Sequence, residues 1–478
     1  MPDSTSAWCS RRRFLALTSA AAALSSLPAK ASASSSFTLK AAPGKTRFSP
    51  GSTAATAVWS YNNKVPGPEI RVRQGDQIQV VVENALSEET TVHWHGVRTP
   101  NAMDGVPMLT QVPIAPGEAY LYEFNAIDAG TFWYHPHQRS FEQVGRGLYG
   151  PLIIEEREPP RVDRDITWVL DDWRLTGDSQ ISGDFGNRHD MSHNGRVGNT
   201  VTINGKRQET FAVRPNERIR LRLINAANAR IFGLNFKGHD PMVIALDGQP
   251  IMPHHPEDGL IVLGPAMRAD LMIDMTAKAG ARHPVTDRFY QGLEYRLVDL
   301  AYDAMPLRGR ASDWQLALPI NPLPEPDIKN AVRHDVVFNG GMMGGMAMAE
   351  MGGSMGDGSS GGMMTNIHSG KVWFVNGVAA EGHVMNPMLT LKHGQSYVLA
   401  MTNATAWHHP MHLHGHTFRV IARNGQPTRH REWQDTVLMA PRELVEIAFV
   451  ADNPGDWMFH CHILEHQASG MMAVIRVA

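Results

Sequence analysis

The sequence predicts an all-β chain built from three related β-sandwich domains, and two internal repeats and two proline-rich joins predict it. Three stretches align without a gap: RQGDQIQVVVENA from Arg73, RPNERIRLRLINA from Arg214 and KHGQSYVLAMTNA from Lys392. Each runs from a cation to an Asn-Ala eleven residues later, at Asn84, Asn225 and Asn403. Polar and apolar residues alternate through their second halves, as a strand with one buried face demands. A second repeat links the first and third copies: PGEAYLYEFNAIDAGTFWYHPH from Pro116 and PRELVEIAFVADNPGDWMFHCH from Pro441. The middle copy shares only its start, PAMRADLMID from Pro265. The joins EREPPR and LPINPLPEPD then divide the chain into residues 37–157, 160–325 and 330–478. A length of 478 residues is too great for one ordinary core.

The first element precedes these domains. Ser10-Arg11-Arg12-Arg13-Phe14-Leu15, the apolar run ALTSAAAALSSL and the small-residue sites near Ala31 and Ala33 have the order of a cleaved twin-arginine signal over residues 1–33. The expected partner is the twin-arginine export machinery and the expected destination the periplasm. The apolar run is too short for a permanent membrane span, so none is expected in the mature chain. Cleavage removes Cys9 and leaves Cys461 alone, which excludes an intramolecular disulfide. A net charge of -3 gives no reason to expect a nucleic acid or an anionic membrane as partner. Histidine and methionine are in excess, at 23 and 26, the composition of a chain that handles a transition metal without disulfides.

The repeats also place the histidines. His93 and His95 lie nine and eleven residues past Asn84, and His412 and His414 lie at the same offsets from Asn403. The middle copy has Leu234 and Phe236 there. His135-Pro136-His137 is in register with His460-Cys461-His462. Alternate side chains on a strand share a face, so both histidines of a pair point one way and the residue between them points the other. Eight histidines from the first and third domains can then converge, while Cys461 faces a different metal. A thiolate, two imidazoles and a weak methionine make the blue-copper set. Cys461, His466 and Met471 supply three of those groups, and His409 is the candidate for the fourth.

HWHG, WYHPH, HPMHLHG and HCHILEHQASGM resemble the four signature motifs of three-domain bacterial multicopper oxidases, the group of laccases and periplasmic copper efflux oxidases. The resemblance implies three cupredoxin-like Greek-key sandwiches and four copper ions. It implies a type 1 copper on His409, Cys461, His466 and Met471, and a type 2 copper on His93 and His412. A type 3 pair falls on His95, His135, His137, His414, His460 and His462. It further implies one-electron oxidation of substrate at the type 1 site, coupled to reduction of dioxygen to water. Zinc fits poorly, since a closed structural site usually wants several cysteines, and no C-x-x-C-H is present for haem.

Asp104 resembles the family acid that assists proton delivery near the type 2 copper. A second family acid follows the type 1 histidine directly; here that position is Gln467, and Glu465 is the candidate substitute, expected on a strand. The run from Gly340 to Met364 carries eight methionines among glycines and serines, soft ligands suited to Cu(I). A Met-rich insert marks relatives that oxidise Cu(I). The Asp and Met that those relatives carry before the first type 1 histidine are Thr405 and Trp407 here, and Trp407 could stack a phenol. The expected function is oxidation of Cu(I), or of phenols and aromatic amines, in copper tolerance. The rivals are a laccase without that role and a non-catalytic copper scaffold.

Overall fold

The computed structural model describes residues 34–49, 54–344, 370–382 and 386–478. The signal expected over residues 1–33, and the methionine run beyond residue 344, lie outside the described residues.

Six sheets form three sandwiches. Each of the three aligned stretches is a central strand: Gln77–Asn84, Arg218–Asn225 and Ser396–Asn403. Each lies parallel to the first long strand of its domain, Ser34–Thr46, Arg164–Trp173 or Val332–Gly340. A second parallel pair closes the facing sheet each time. Ile70–Arg73 lies beside Gly150–Glu155, Thr210–Val213 beside Tyr295–Tyr302, and Leu389–Leu391 beside Met472–Val477. Parallel neighbours need crossover connections, which carry the chain between the sheets. Apolar side chains from both sheets fill a separate core in each domain.

The residues common to the three copies have structural work to do. Two residues after each cation the backbone takes positive φ, at Gly75, Asn216 and Gly394, where glycine or asparagine costs least. Eleven residues after it, Asn84, Asn225 and Asn403 each spend the side-chain amide on two main-chain carbonyls. These belong to Glu88 and Ile114, Arg230 and Leu263, and Trp407 and Ala440. Each side-chain oxygen accepts the main-chain N–H two residues on. This clamp holds the strand end to the loop that follows, and in the first and third domains that loop leads to the histidines.

One expectation is corrected in the middle domain. The first copy alternates buried and half-buried residues, but Arg218–Asn225 is buried on both faces. The first domain and neighbouring strands of its own sheet cover its polar side: Arg220 forms ion pairs with Glu156 and Asp270, and Arg222 with Asp165 and Asp270 while donating to Thr131. Buried guanidinium groups persist only where carboxylates take up their donors. A second correction concerns residues 464–468, which form a short helix rather than a strand.

Candidate metal centre

Strands from the first and third domains deliver the paired histidines face to face. Within the first domain, His93 lies opposite His135 in antiparallel pairing; within the third, His412 lies opposite His460. In three of the four pairs the residue between is spent on its own core. Trp94 packs with Tyr122, Phe124 and Tyr134, and Leu413 and Cys461 join the third-domain cluster. Across the domain boundary, His93 stacks on His414 with ring centroids 3.9 Å apart, and His95 on His412 at 3.8 Å. His137 Nε2 is 3.4 Å from His460 Nε2, and His135 Nε2 is 3.4 Å from His462 Nε2. All eight histidines expected to converge do so, and all are buried.

Their second nitrogens are held outward. The Nδ1 atoms of His93 and His412 meet the main-chain carbonyls of Asp104 and Asp435, at 2.8 and 2.9 Å. His414 Nδ1 meets the Asp104 carboxylate at 2.8 Å, and His95 Nε2 meets Asp435 Oδ1 at 3.2 Å and Thr436 Oγ1 at 3.1 Å. Such outer partners fix the tautomer and so decide which nitrogen faces inward. Among the described residues, His93 Nε2, His95 Nδ1 and His412 Nε2, the ring nitrogens opposite those bonds, are buried without a protein partner. Burial, reinforced by neighbouring histidines, holds His95, His135, His414 and His462 well below the usual imidazole range. Neutral imidazole is the metal-binding form, so these lowered values and the orphaned inward nitrogens together fit a metal cluster.

The thiol builds a second centre. Cys461 Sγ is 3.4 Å from His409 Nδ1 and 3.7 Å from His466 Nδ1, and those two nitrogens are 3.1 Å apart. Thr405 Oγ1 accepts from His409 Nε2 at 2.8 Å, and the His193 carbonyl accepts from His466 Nε2 at 2.6 Å, which leaves each Nδ1 facing the sulfur. Burial pushes the Cys461 thiol up and His466 down to about 3. A thiolate there therefore needs a cation among these three donors. The main-chain carbonyl of Met471 accepts from Cys461 N, and its side chain is buried in the core that holds Cys461. Trp373, 4.2 Å from the His466 ring and 5.0 Å from His409, walls the site.

The acids divide. Asp104 sits between His93 and His414, in a loop whose next residue, Gly105, has φ +80° and leaves no space for a Cβ beside the Val92 carbonyl. Glu465 faces the second domain, accepting from Arg196 N at 3.1 Å and Asn228 Nδ2 at 3.0 Å; burial raises it to about 7. Gln467 is the residue that reaches the cluster, with Nε2 3.2 Å from His137 Nε2 and its oxygen accepting from Ser140. Sequence reasoning missed Asp435, Arg268, Trp373 and His193. Arg268 binds both Asp435 oxygens, at 2.8 and 2.5 Å. Burial alone would raise Asp435, yet Arg268 outweighs it and holds the carboxyl below its usual range; Asp247 beside it is pushed up to about 7. Trp407, expected as a stacking face, donates from Nε1 to the Met342 carbonyl and packs edge-on to His193.

Family models described as multicopper oxidase match residues 44–159, 164–286 and 359–478. Multicopper oxidase MmcO of Mycobacterium tuberculosis is 32% identical over 450 residues, covering 86% of this chain and 81% of the relative. The crystal structure of a multi-copper oxidase from Pseudomonas thermotolerans superposes with a TM-score of 0.81 at 34% identity, over 94% of this chain and 100% of that one. A Campylobacter jejuni multicopper oxidase described as a metallo-oxidase gives 0.76 at 27%, over 93% and 91%. With two histidine-lined centres built from the matching segments, the chain belongs to the multicopper oxidase family and is an oxidoreductase that uses dioxygen.

Proposed function

We propose that this oxidase holds four copper ions and serves periplasmic copper tolerance by oxidising Cu(I), with small aromatic reductants as further substrates. His409, Cys461, His466 and Met471 would hold the type 1 ion, His93 and His412 the type 2 ion, and His95, His135, His137, His414, His460 and His462 the type 3 pair. One observation carries the reading: Cys461 joins the three-donor centre while its chain neighbours His460 and His462 belong to the eight-histidine cluster. Copper bound in these places supplies one-electron redox chemistry and, in the cluster, four-electron reduction of dioxygen to water.

The chain's own residues do the rest. The peptide links on either side of Cys461 give a short covalent path between the centres. Neutral, desolvated imidazoles stay as ligands, and the domain boundary excludes bulk water. Asp104 is the acid assigned to proton delivery, because its carboxylate touches His414. Glu465, with its oxygens turned to Arg196 and Asn228, is assigned to holding its helix on the second domain.

The cuprous preference draws support from the eight methionines between Gly340 and Met364, and from the metallo-oxidase relative. Oxygen uptake by copper-loaded protein, with Cu(I) and with a phenol side by side, tests it. Saturable uptake with Cu(I) is expected. Uptake with the phenol alone would leave a laccase without a copper-tolerance role, and uptake with neither would leave a copper scaffold. Export is tested by fractionation: Arg11→Lys with Arg12→Lys should retain the precursor in the cytoplasm.

A further inference from the structure

The helix Arg188–Ser192 of the second domain packs against the helix Leu464–Ala468 that carries His466. Two histidines on or beside it belong to neither centre. His189 and His193 are four residues apart, and their rings lie nearly parallel, with centroids 4.1 Å apart and 7° between planes. His193 follows the helix with φ −119° and ψ −127°, outside the helical region, and its ring folds back over His189; turning one ring out of the stack brings a nitrogen of each toward one metal ion. His193 Nδ1 lies 3.0 Å from the His189 carbonyl, so it carries the proton and Nε2 keeps the lone pair. The His189 side chain is 71% exposed, with Nδ1 3.9 Å from the Asp190 carboxylate, and it is the ring of the pair with room to turn.

Soft donors border this face. Trp407 packs edge-on to the His193 ring and donates to the Met342 carbonyl, while Met342 N donates to the Ser192 carbonyl at 2.8 Å. Met342 and Met343 are both more than half exposed. The carbonyl of the same His193 accepts from His466 Nε2 at 2.6 Å. The pair is therefore joined to the thiolate centre by a few covalent bonds and one short hydrogen bond.

We propose that His189 and His193, with a thioether from Met342 or Met343, form a surface docking site for Cu(I) as substrate, and that the His193 carbonyl passes its electron to His466. The inference rests on the cuprous reading above and names its site. The bound Cu(I) loses one electron and leaves as Cu(II). That electron passes through His466 to the thiolate centre, which the oxidase reaction re-oxidises with dioxygen. No proton moves at this site and no covalent bond is broken. Oxidation also favours release, because thioethers hold Cu(I) better than the harder Cu(II).

Copper-loaded full-length enzyme titrated calorimetrically with Ag(I), a redox-inert soft monovalent ion, tests binding apart from turnover. His189→Ala, and separately His193→Ala, which keeps the carbonyl, should weaken one Ag(I) site by about tenfold or more, the loss that even outer partners of metal ligands cause. The KM for Cu(I) should rise by a similar factor while the blue absorption stays intact. Deleting residues 345–364 should leave this Ag(I) site in place. Unchanged Ag(I) binding and unchanged KM in both variants overturn the site while leaving Cu(I) oxidation standing. Ag(I) binding that depends on His189, in an enzyme that takes up no oxygen with Cu(I), overturns the substrate role together with the cuprous reading.

Discussion

Asp104 and Asp435 hold matching positions on opposite sides of the histidine cluster. Each offers its main-chain carbonyl to Nδ1 of a histidine in its own domain, His93 or His412, and its carboxylate to a histidine of the other domain, His414 or His95. The match ends at their outer contacts. Both oxygens of Asp435 are taken by Arg268 of the middle domain, whereas the Asp104 carboxylate pairs only with histidines among the described residues.

Asp104→Asn should therefore slow re-oxidation by dioxygen by about a hundredfold or more, the span of general acid catalysis, and leave reduction of the type 1 copper unchanged. The amide keeps the main-chain hydrogen bond to His93 but cannot give up a proton. Rapid-mixing kinetics separates the two steps; unchanged re-oxidation would remove Asp104 from the mechanism.

Asp435→Ala should act on stability. It leaves the fully buried Arg268 with the main-chain carbonyls of Thr131 and Ala266 and, at 3.4 Å, Asp247, and breaking a buried pair on one side costs about 3–5 kcal/mol. Urea unfolding of the copper-free protein should show a clearly lowered midpoint. A midpoint equal to wild type would mean that Arg268 finds solvent or another partner.

Cys461→Ser should abolish the blue absorption and substrate oxidation while metal analysis still finds cluster copper. Serine removes the soft donor between His409 and His466, but His460 and His462 keep their own contacts across the domain boundary. A blue, active variant would overturn the assignment.

Gln467→Glu places a carboxyl 3.2 Å from His137, where the amide now sits. A group able to give and recover a proton there should raise turnover or move its pH optimum. A pH–rate profile superimposable on wild type would show that proton supply at this position does not limit the reaction.

Asp171 gives a pH-dependent stability. Burial, then the neighbouring Asp172, raises its carboxyl well above the usual range, although Tyr149 donates to it at 2.5 Å. The folded value exceeds the unfolded one, so its contribution is complete below the ordinary carboxylate range and is lost as pH rises toward the folded value. Asp171→Asn should flatten that decline. A thermal-melting series across pH with equal slopes in variant and wild type would refute it.

The paired histidines and Cys461 were legible because they obey local rules. The offsets from Asn84 and Asn403 and the two-residue period of a strand place the His-x-His pairs and turn Cys461 the other way, and the structure has them so. Strand burial in the middle domain was less legible, since alternation reports one face only and the acids that cover Arg220 and Arg222 come from Glu156, Asp165 and Asp270. Residue 465 lies in a helical turn past the end of the strand, where a strand period does not say which way a side chain faces.

The sequence by itself determined the three-domain repeat, the pairing of its histidines and the separate duty of Cys461, since these follow from spacing along one chain segment. Only the tertiary structure decided what orients those donors. Asp104 lies twenty residues past Asn84 and Asp435 thirty-two past Asn403, so no shared register marks them as counterparts. Arg268 and the His193 carbonyl reach the two centres from the middle domain, which carries no ligand pair of its own. Hydrogen bonds act over about 3 Å in space, whatever the separation in sequence. The partners that hold His95, His414 and His466 therefore became visible only where the domains meet.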